Sequence, residues 1–270
     1  MNKGFNALVL AGERRFDDPL LEACAKPSKS LIEIGGEPMV TRVLRCLQES
    51  QSIDRILLCG PHAEARDQEP RLIAQLEGEG VSWLAPEATP STSAGAGLSQ
   101  LGAALPTLLT TADHPLLRPE IVEYFCRESA ASGADVTVGL VPYRKVRAIF
   151  PTMKKTVLRF RDDEYCGCNL FTFMTVHGRQ MTSIWRAVEA ERKSPLRVIR
   201  LLGWTSVLRY RFGLISLDAA LAALSRRTGI RIAAIKLPFG DAGVDVDTVS
   251  DRAYVEQRVA QLNTPSTTSI

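Results

Sequence analysis

The longest apolar runs of this 270-residue chain fall well short of the ~20 residues that cross a bilayer, which excludes a helical membrane protein. Neither sign of charge is in excess. Lysine and arginine number 33 against 30 aspartates and glutamates, and a net charge of +3 gives no electrostatic case for nucleic acid as a partner. Cysteine is sparse: the six at positions 24, 46, 59, 126, 166 and 168 lack the dense framework of a disulfide-stapled domain and read as cytosolic thiols. Cys166 and Cys168 read as small buried residues rather than metal ligands. No secretory leader is evident. The short apolar run after Lys3 is cut off by Glu13, Arg14 and Arg15 with no cleavage site behind it, so a cytoplasmic location is expected. His114 has no serine or cysteine nucleophile pattern beside it and reads as a turn residue.

What is present is ordinary globular composition, 45% hydrophobic and 23% charged, in a length that suits one large α/β domain. We expect that domain over residues 1–262, with a helical insert at about 178–228 and a disordered tail at 263–270. Strand and helix signals alternate. Asn6–Leu10 is a buried parallel strand running into Ala11 and Gly12, where exposed main-chain N–H groups, Arg14, Arg15 and Lys29 suit a polyanion; an ordinary surface turn is the plainer reading. A polar, partly acidic segment from 13 to 28 leads to a short strand at Leu31–Ile34, a Gly35-Gly36 turn and a helix opened by Pro38. Strands are predicted at Ile53–Cys59, Val81–Leu84, Pro106–Thr111, Val136–Val141 and Ile230–Leu237, and another begins at Gly167.

Several residues fall where an open α/β sheet binds ligands, outside the carboxyl ends of its strands. Asp113 follows Thr111 and suits a hard cation held with phosphate, or else caps the turn before the helix at 119–129. Ser91, Thr92 and Ser93 are candidate N-caps, with a nucleotide contact from Ser93 as the sharper reading. Lys154, Lys155, Arg159 and Arg161 form a basic hairpin, either a solvated face or a binding face for an anionic second substrate. Gly167 permits close ligand approach, and Asn169 offers a donor and acceptors. In the insert, Trp185, Trp204, Leu208, Tyr210 and Phe212 alternate with arginines. That mixture fits core packing with snorkelling arginines, and beside it a weak peripheral membrane contact.

LAGERR, KSLIEIGGEPMVTRVL, LLTTADHPLL, CGCNLF and VDVDTVSDRAYVE, in that order, cover most of the chain. Together they resemble the nucleotidyltransferases similar to the molybdenum-cofactor guanylyltransferase, whose fold is the Rossmann-like three-layer sandwich of the glycosyltransferase-A type. The resemblance implies a mostly parallel sheet and a nucleoside triphosphate cradled by Leu10, Ala11, Gly12 and Arg15. It implies that Lys29 is the family lysine, that Asp113 and Asp247 hold Mg²⁺, that Ser93 meets the nucleotide and that Asn169 meets a phosphorylated acceptor. Glu13 departs from the pattern, standing where the family has a second glycine, and the segment up to Lys29 is longer.

The chemistry suits those residue types. An acceptor phosphate oxygen attacks the α-phosphorus in line as pyrophosphate leaves, so the barrier is charge and positioning, and Lys29 and Arg15 would neutralise the leaving group. The expected activity is therefore Mg²⁺-dependent nucleotidyl transfer from an NTP to a small-molecule or lipid-precursor phosphate. Two alternatives are a glycosyltransferase using a nucleotide sugar, for which Asp245-Val246-Asp247 is the one Asp-x-Asp triplet, and a non-catalytic nucleotide-binding protein.

Overall fold

The computed structural model describes residues 4–13, 18–78, 80–104, 106–190 and 203–263. Its strands are β1 (Phe5–Leu10), β2 (Glu33–Ile34), β3 (Glu37–Pro38), β4 (Ile53–Cys59), β5 (Val81–Leu84), β6 (Thr107–Thr111), β7 (Val136–Pro142), β8 (Leu158–Arg159), β9 (Glu164–Phe173) and β10 (Ile232–Lys236). The main sheet runs β10-β7-β9-β6-β1-β4-β5, with β8 added to β9, while β2 and β3 form a separate ribbon. β6, β1, β4 and β5 run parallel to one another, as does β10 to β7. β9 alone in the main path is antiparallel, inserted between β6 and β7.

The alternation of β1 shows why the sheet is covered on both sides. Phe5, Ala7 and Val9 enter one apolar cluster, whereas Leu8 and Leu10 enter the other, so all six residues of the strand are buried. The helices are α1 (Pro19–Cys24), α2 (Met39–Glu49), α3 (Ala63–Arg66), α4 (Pro70–Glu77), α5 (Pro90–Leu101), α6 (Pro119–Ala131), α7 (Tyr143–Ile149) and α8 (Met181–Ala190). Three more follow at Trp204–Arg211, Leu217–Thr228 and Val249–Asn263. α2 and α6 pack into the first cluster through Val43, Leu44, Leu47, Ile121, Val122 and Phe125. Each such buried side chain contributes about 1.5–3 kcal/mol. α5 and α8 cover the other face through Ala94, Leu98, Met181, Ile184 and Trp185.

The parallel core matches the expected α/β class, and the differences are local. The acidic segment before Lys29 contains α1, whose start is capped by Asp18 accepting from Leu20 N. α5 is capped by Thr89, in a reciprocal box with Thr92, and not by Ser91 or Ser93. Pro90 takes the first helical position, which moves the cap one residue ahead of it. β9 begins at Glu164, earlier than its glycine suggests, because Leu158 and Arg159 turn back to pair with its first residues. The tail from 264 to 270, Leu201 and Leu202 of the insert, and Arg14 and Arg15 lie outside the described residues. Among the described residues no helix is long and apolar enough to cross a membrane.

Candidate active site

The carboxyl ends of β1, β4 and β6 are tied together at one point. Ala11 N donates to Cys59 O at 2.8 Å, and Ala112 N donates to Leu10 O at 2.9 Å, which fixes the loop leaving β1 between its two neighbours. Gly60 makes that approach possible. Its φ is +93°, and a Cβ there would lie 2.7 Å from the carbonyl carbon of Ala11. Glu13 then turns back on the chain, its carboxylate accepting from the Ser28 hydroxyl and, at 2.8 Å, from Lys29 N. Burial pushes the Glu13 carboxyl above the ordinary range despite those bonds.

Lys29 opens a single 3₁₀ turn, Lys29–Leu31, and its ammonium reaches between two carboxylates. It is bonded to Asp247 and lies 3.7 Å from Asp113 Oδ2. Burial draws the ammonium's pKa down, but the attraction of Asp113 and Asp247 outweighs it, and the net shift is upward. Asp113 also accepts from Thr111 Oγ1. Asp245 and Asp247 point the same way because Val244 and Val246 alternate with them into the core, and Val246 N is anchored on Asp113 O at 3.0 Å. Asp245 is paired with Lys155 and accepts from Asn169 Nδ2 at 3.3 Å. Burial opposes its ionisation, yet Lys155 prevails and holds the carboxyl below its usual range.

Asn169 owes its position to an irregularity in the sheet. Val138 pairs with Phe171, but Leu140 pairs with Gly167, so β9 carries more residues than β7 across the same interval. Asn169 takes up the excess with a left-handed backbone, φ +51°. Bulges of this kind re-aim a side chain, and here the amide is turned toward Asp245.

These groups surround a cavity of about 590 Å³ that runs from Leu10, Ala11, Gly12 and Glu13 past Lys29, Asp113, Asp245, Asp247 and Asn169 to an apolar end under α8. The structure thus gathers Leu10, Ala11, Gly12, Lys29, Asp113, Asn169 and Asp247 at one opening. Gly167 is exposed and does not line it. Ser93 is buried in α5, its hydroxyl accepting from Glu87 N at 2.9 Å, and it shapes the loop ahead of the helix while Pro90 lines the cavity. Arg15 lies outside the described residues. Lys155 is expected only as one of the basic hairpin residues 154–161, and Asp245 only in the Asp-x-Asp triplet of the glycosyltransferase alternative; neither is expected in the pairing seen here. The Asp245-x-Asp247 spacing carried the signal for one, and nothing near Lys155 distinguishes it from its neighbours.

Among the described residues no three acidic, histidine or cysteine side chains cluster tightly enough to cage a metal. A magnesium ion does not require one, since it commonly takes one or two carboxylates and completes its shell with substrate phosphates and water. Five carboxylates (Glu13, Asp18, Asp113, Asp245 and Asp247) face one ammonium, Lys29, along the described lining. A polyphosphate enters such a lining only with cations beside it. The hard oxygen donors of Asp113 and Asp247 therefore fit the ion.

The model of the MobA-like NTP transferase domain matches residues 7–166. Among solved structures, a hypothetical transferase from Thermus thermophilus is 27% identical with a TM-score of 0.77, over 92% of this chain and 99% of that one. Two more share the fold at lower identity. A 4-diphosphocytidyl-2C-methyl-D-erythritol synthase from Anaerococcus prevotii is 11% identical, TM-score 0.56, over 96% of this chain and 97% of that one. A CMP:2-keto-3-deoxy-manno-octonic acid synthetase in complex with CTP is 14% identical, TM-score 0.58, over 96% and 99%. The matched stretch spans more than half of the sequence and carries the β1 loop, Lys29 and Asp113, and the chain belongs to the MobA-like NTP transferase domain family.

Proposed function

We propose that this nucleotidyltransferase-family chain, acting as one domain over residues 1–262 in the cytoplasm, moves an NMP group from an NTP to a phosphorylated acceptor and releases pyrophosphate. The observation that carries the reading is the Lys29 ammonium set between Asp113 and Asp247 beside the clamped loop after β1. The main-chain N–H groups of Gly12 and Glu13, beside the loop held by the Ala11 N–H to Cys59 O bond, and Arg15 receive the triphosphate. Asp113 and Asp247 would hold Mg²⁺, which would supply positive charge against the polyphosphate. Lys29, whose ammonium stands between Asp113 and Asp247, neutralises the leaving pyrophosphate. Asn169, on the far side of Asp113 from the loop, orients the acceptor. Each such contact is worth about 3–4 kcal/mol in the transition state, by analogy with a single oxyanion donor.

Thermal unfolding against ATP, CTP, GTP, UTP and nucleotide sugars, with and without Mg²⁺, tests the reading. Ligand at about 100 times its Kd adds ~2.7 kcal/mol, a rise of several degrees for a chain of this size. CTP comes first because one similar structure holds it. A magnesium-dependent rise with one triphosphate is expected. A rise with nucleotide sugars alone would replace the reading by glycosyl transfer, and no rise with any of them would sink it.

A further inference from the structure

Below Asn169 the cavity changes character. It continues down the face of the sheet between β6, β9 and β7 on one side and α8 on the other, walled by Leu109, Val136, Phe171, Phe173, Met181 and Trp185. Phe171 lies across from Leu109, and Phe173 across from Val136, so these side chains form one face of the sheet. Four residue steps separate Asn169 from Phe173. Two of those steps lie in the bulge and advance only about as far as one step of β7, so at ~3.3 Å per step the slot descends about 10 Å from Asn169.

Its roof is fixed to the fold. At the start of α8, Arg179 Nη1 donates to Leu98 O at 2.7 Å. Near the end, Ser91 N donates to Glu189 Oε2 at 3.3 Å. The slot is therefore held open by bonds to α5 at both ends of its cover.

The wall says what fits. Among the described residues the roof offers two polar groups, the indole N–H of Trp185 and the hydroxyl of Thr182, which already donates to Arg179 O at 2.8 Å. A nucleobase or a polyol placed there would lose water from several donors and acceptors and find few partners among the described residues. An apolar body would lose nothing and gain burial. The open end of the slot lies beside Asn169 and Asp113, where the reacting phosphate belongs under the nucleotidyl-transfer reading.

We propose that the acceptor is the phosphomonoester of an apolar alcohol, its phosphate at the Asp113–Asn169 end and its hydrocarbon or aromatic body in the slot beneath α8. The proposal rests on the nucleotidyl-transfer reading and names the substrate class for the same site. The nucleotide stays on the β1 side, with the base away from Trp185.

The test is a titration, in the presence of Mg²⁺, with ethyl, butyl, hexyl and octyl phosphate, followed by calorimetry, with the triphosphate-induced rise in unfolding temperature measured in parallel. Affinity is expected to rise about fourfold for each added methylene until the slot is full, from the transfer free energy of a buried methylene. Thr182→Phe should end that rise at a shorter chain, and Met181→Ala should extend it. Both should keep the triphosphate shift, which doubles as the control for folding. Equal affinity across the series, with the triphosphate shift intact, would overturn the slot proposal and leave nucleotidyl transfer standing. So would chain-length dependence that neither variant alters. Loss of the triphosphate shift in a normally folded Thr182→Phe would place the base in the slot and overturn it too. Absence of any triphosphate shift in the parent chain would remove the reading on which the proposal stands.

Discussion

Asp135 and Asp113 sit at opposite edges of the same sheet, and their surroundings differ in one countable respect. Asp135 precedes β7 at the amino edge and accepts from Arg231 N, Nε and Nη2 and from Thr175 Oγ1, at 2.9–3.1 Å. A carboxylate has about four acceptor sites, and Asp135 has filled them. The hydrogen bond from Arg231 leads the causes that hold its carboxyl well below the ordinary range. Asp113 at the carboxyl edge accepts from Thr111, and the nearest cation among the described residues, Lys29, stands 3.7 Å away. The fold completes one aspartate and leaves the other with capacity to spare. Spare capacity at a strand's carboxyl end is what a ligand site requires.

The comparison breaks most visibly at the incomplete edge. Asp113→Ala and Lys29→Ala should each lower pyrophosphate release by about 10²–10³-fold, the effect of one transition-state contact, while the unfolding midpoint falls little. Retained turnover in both would make the two edges equivalent. Gly60→Ala should come next. A residue with a Cβ must adopt φ +93° and press on Ala11, so triphosphate affinity should fall with the distorted loop, by about 1–3 kcal/mol of strain. An unchanged affinity in equilibrium titration would show that the loop's placement does not matter. At the completed edge, Asp135→Asn should lower the unfolding midpoint by several degrees and leave the rate per folded molecule alone.

The smallest effect concerns pH. Asp135 and Asp245 have depressed values, so their stabilisation is present above about pH 4, the unfolded carboxylate range, and lost as pH falls through the folded values. Lys29 is raised, so its share is complete below the unfolded lysine value, about 10.4, and lost as pH rises through the folded one. Burial holds the His114 imidazole below its ordinary value, so its share is complete above about pH 6.5, the unfolded histidine value, and shrinks as pH falls below it; the melting temperature should be flat from there to the lysine range. Asp135→Asn should flatten the acid limb, and a limb unchanged in that variant would assign acid loss to other carboxylates.

Much of the sheet was legible because its strands announce themselves locally. β1, β4 and β6 are apolar runs closed by small or turn-forming residues, and their ends place Gly12 and Asp113 without reference to the rest of the chain. What was illegible depends on pairing across distance. Lys29 and Asp247 are 218 residues apart. The left-handed backbone of Asn169 follows from the register between β7 and β9, and no residue near 169 encodes that register alone. The slot was hidden for the same reason, since the gap above Phe171 and Phe173 depends on where α8 packs. Thr89 is a smaller case, obscured by the hydroxyl-rich run after Pro90.

The insertion of β9 between β6 and β7 also sets an order on synthesis. A nascent chain that has reached residue 142 owns β6 and β7 but not the strand that joins them, so two borders of unpaired peptide groups stand open. At ~5–20 residues per second the ribosome takes some seconds to supply the missing strand. The same ten residues, Glu164–Phe173, close the sheet and deliver Asn169. Ribosomal stalling inside that interval would leave a sticky half-sheet, with the borders that β9 later covers exposed to other chains.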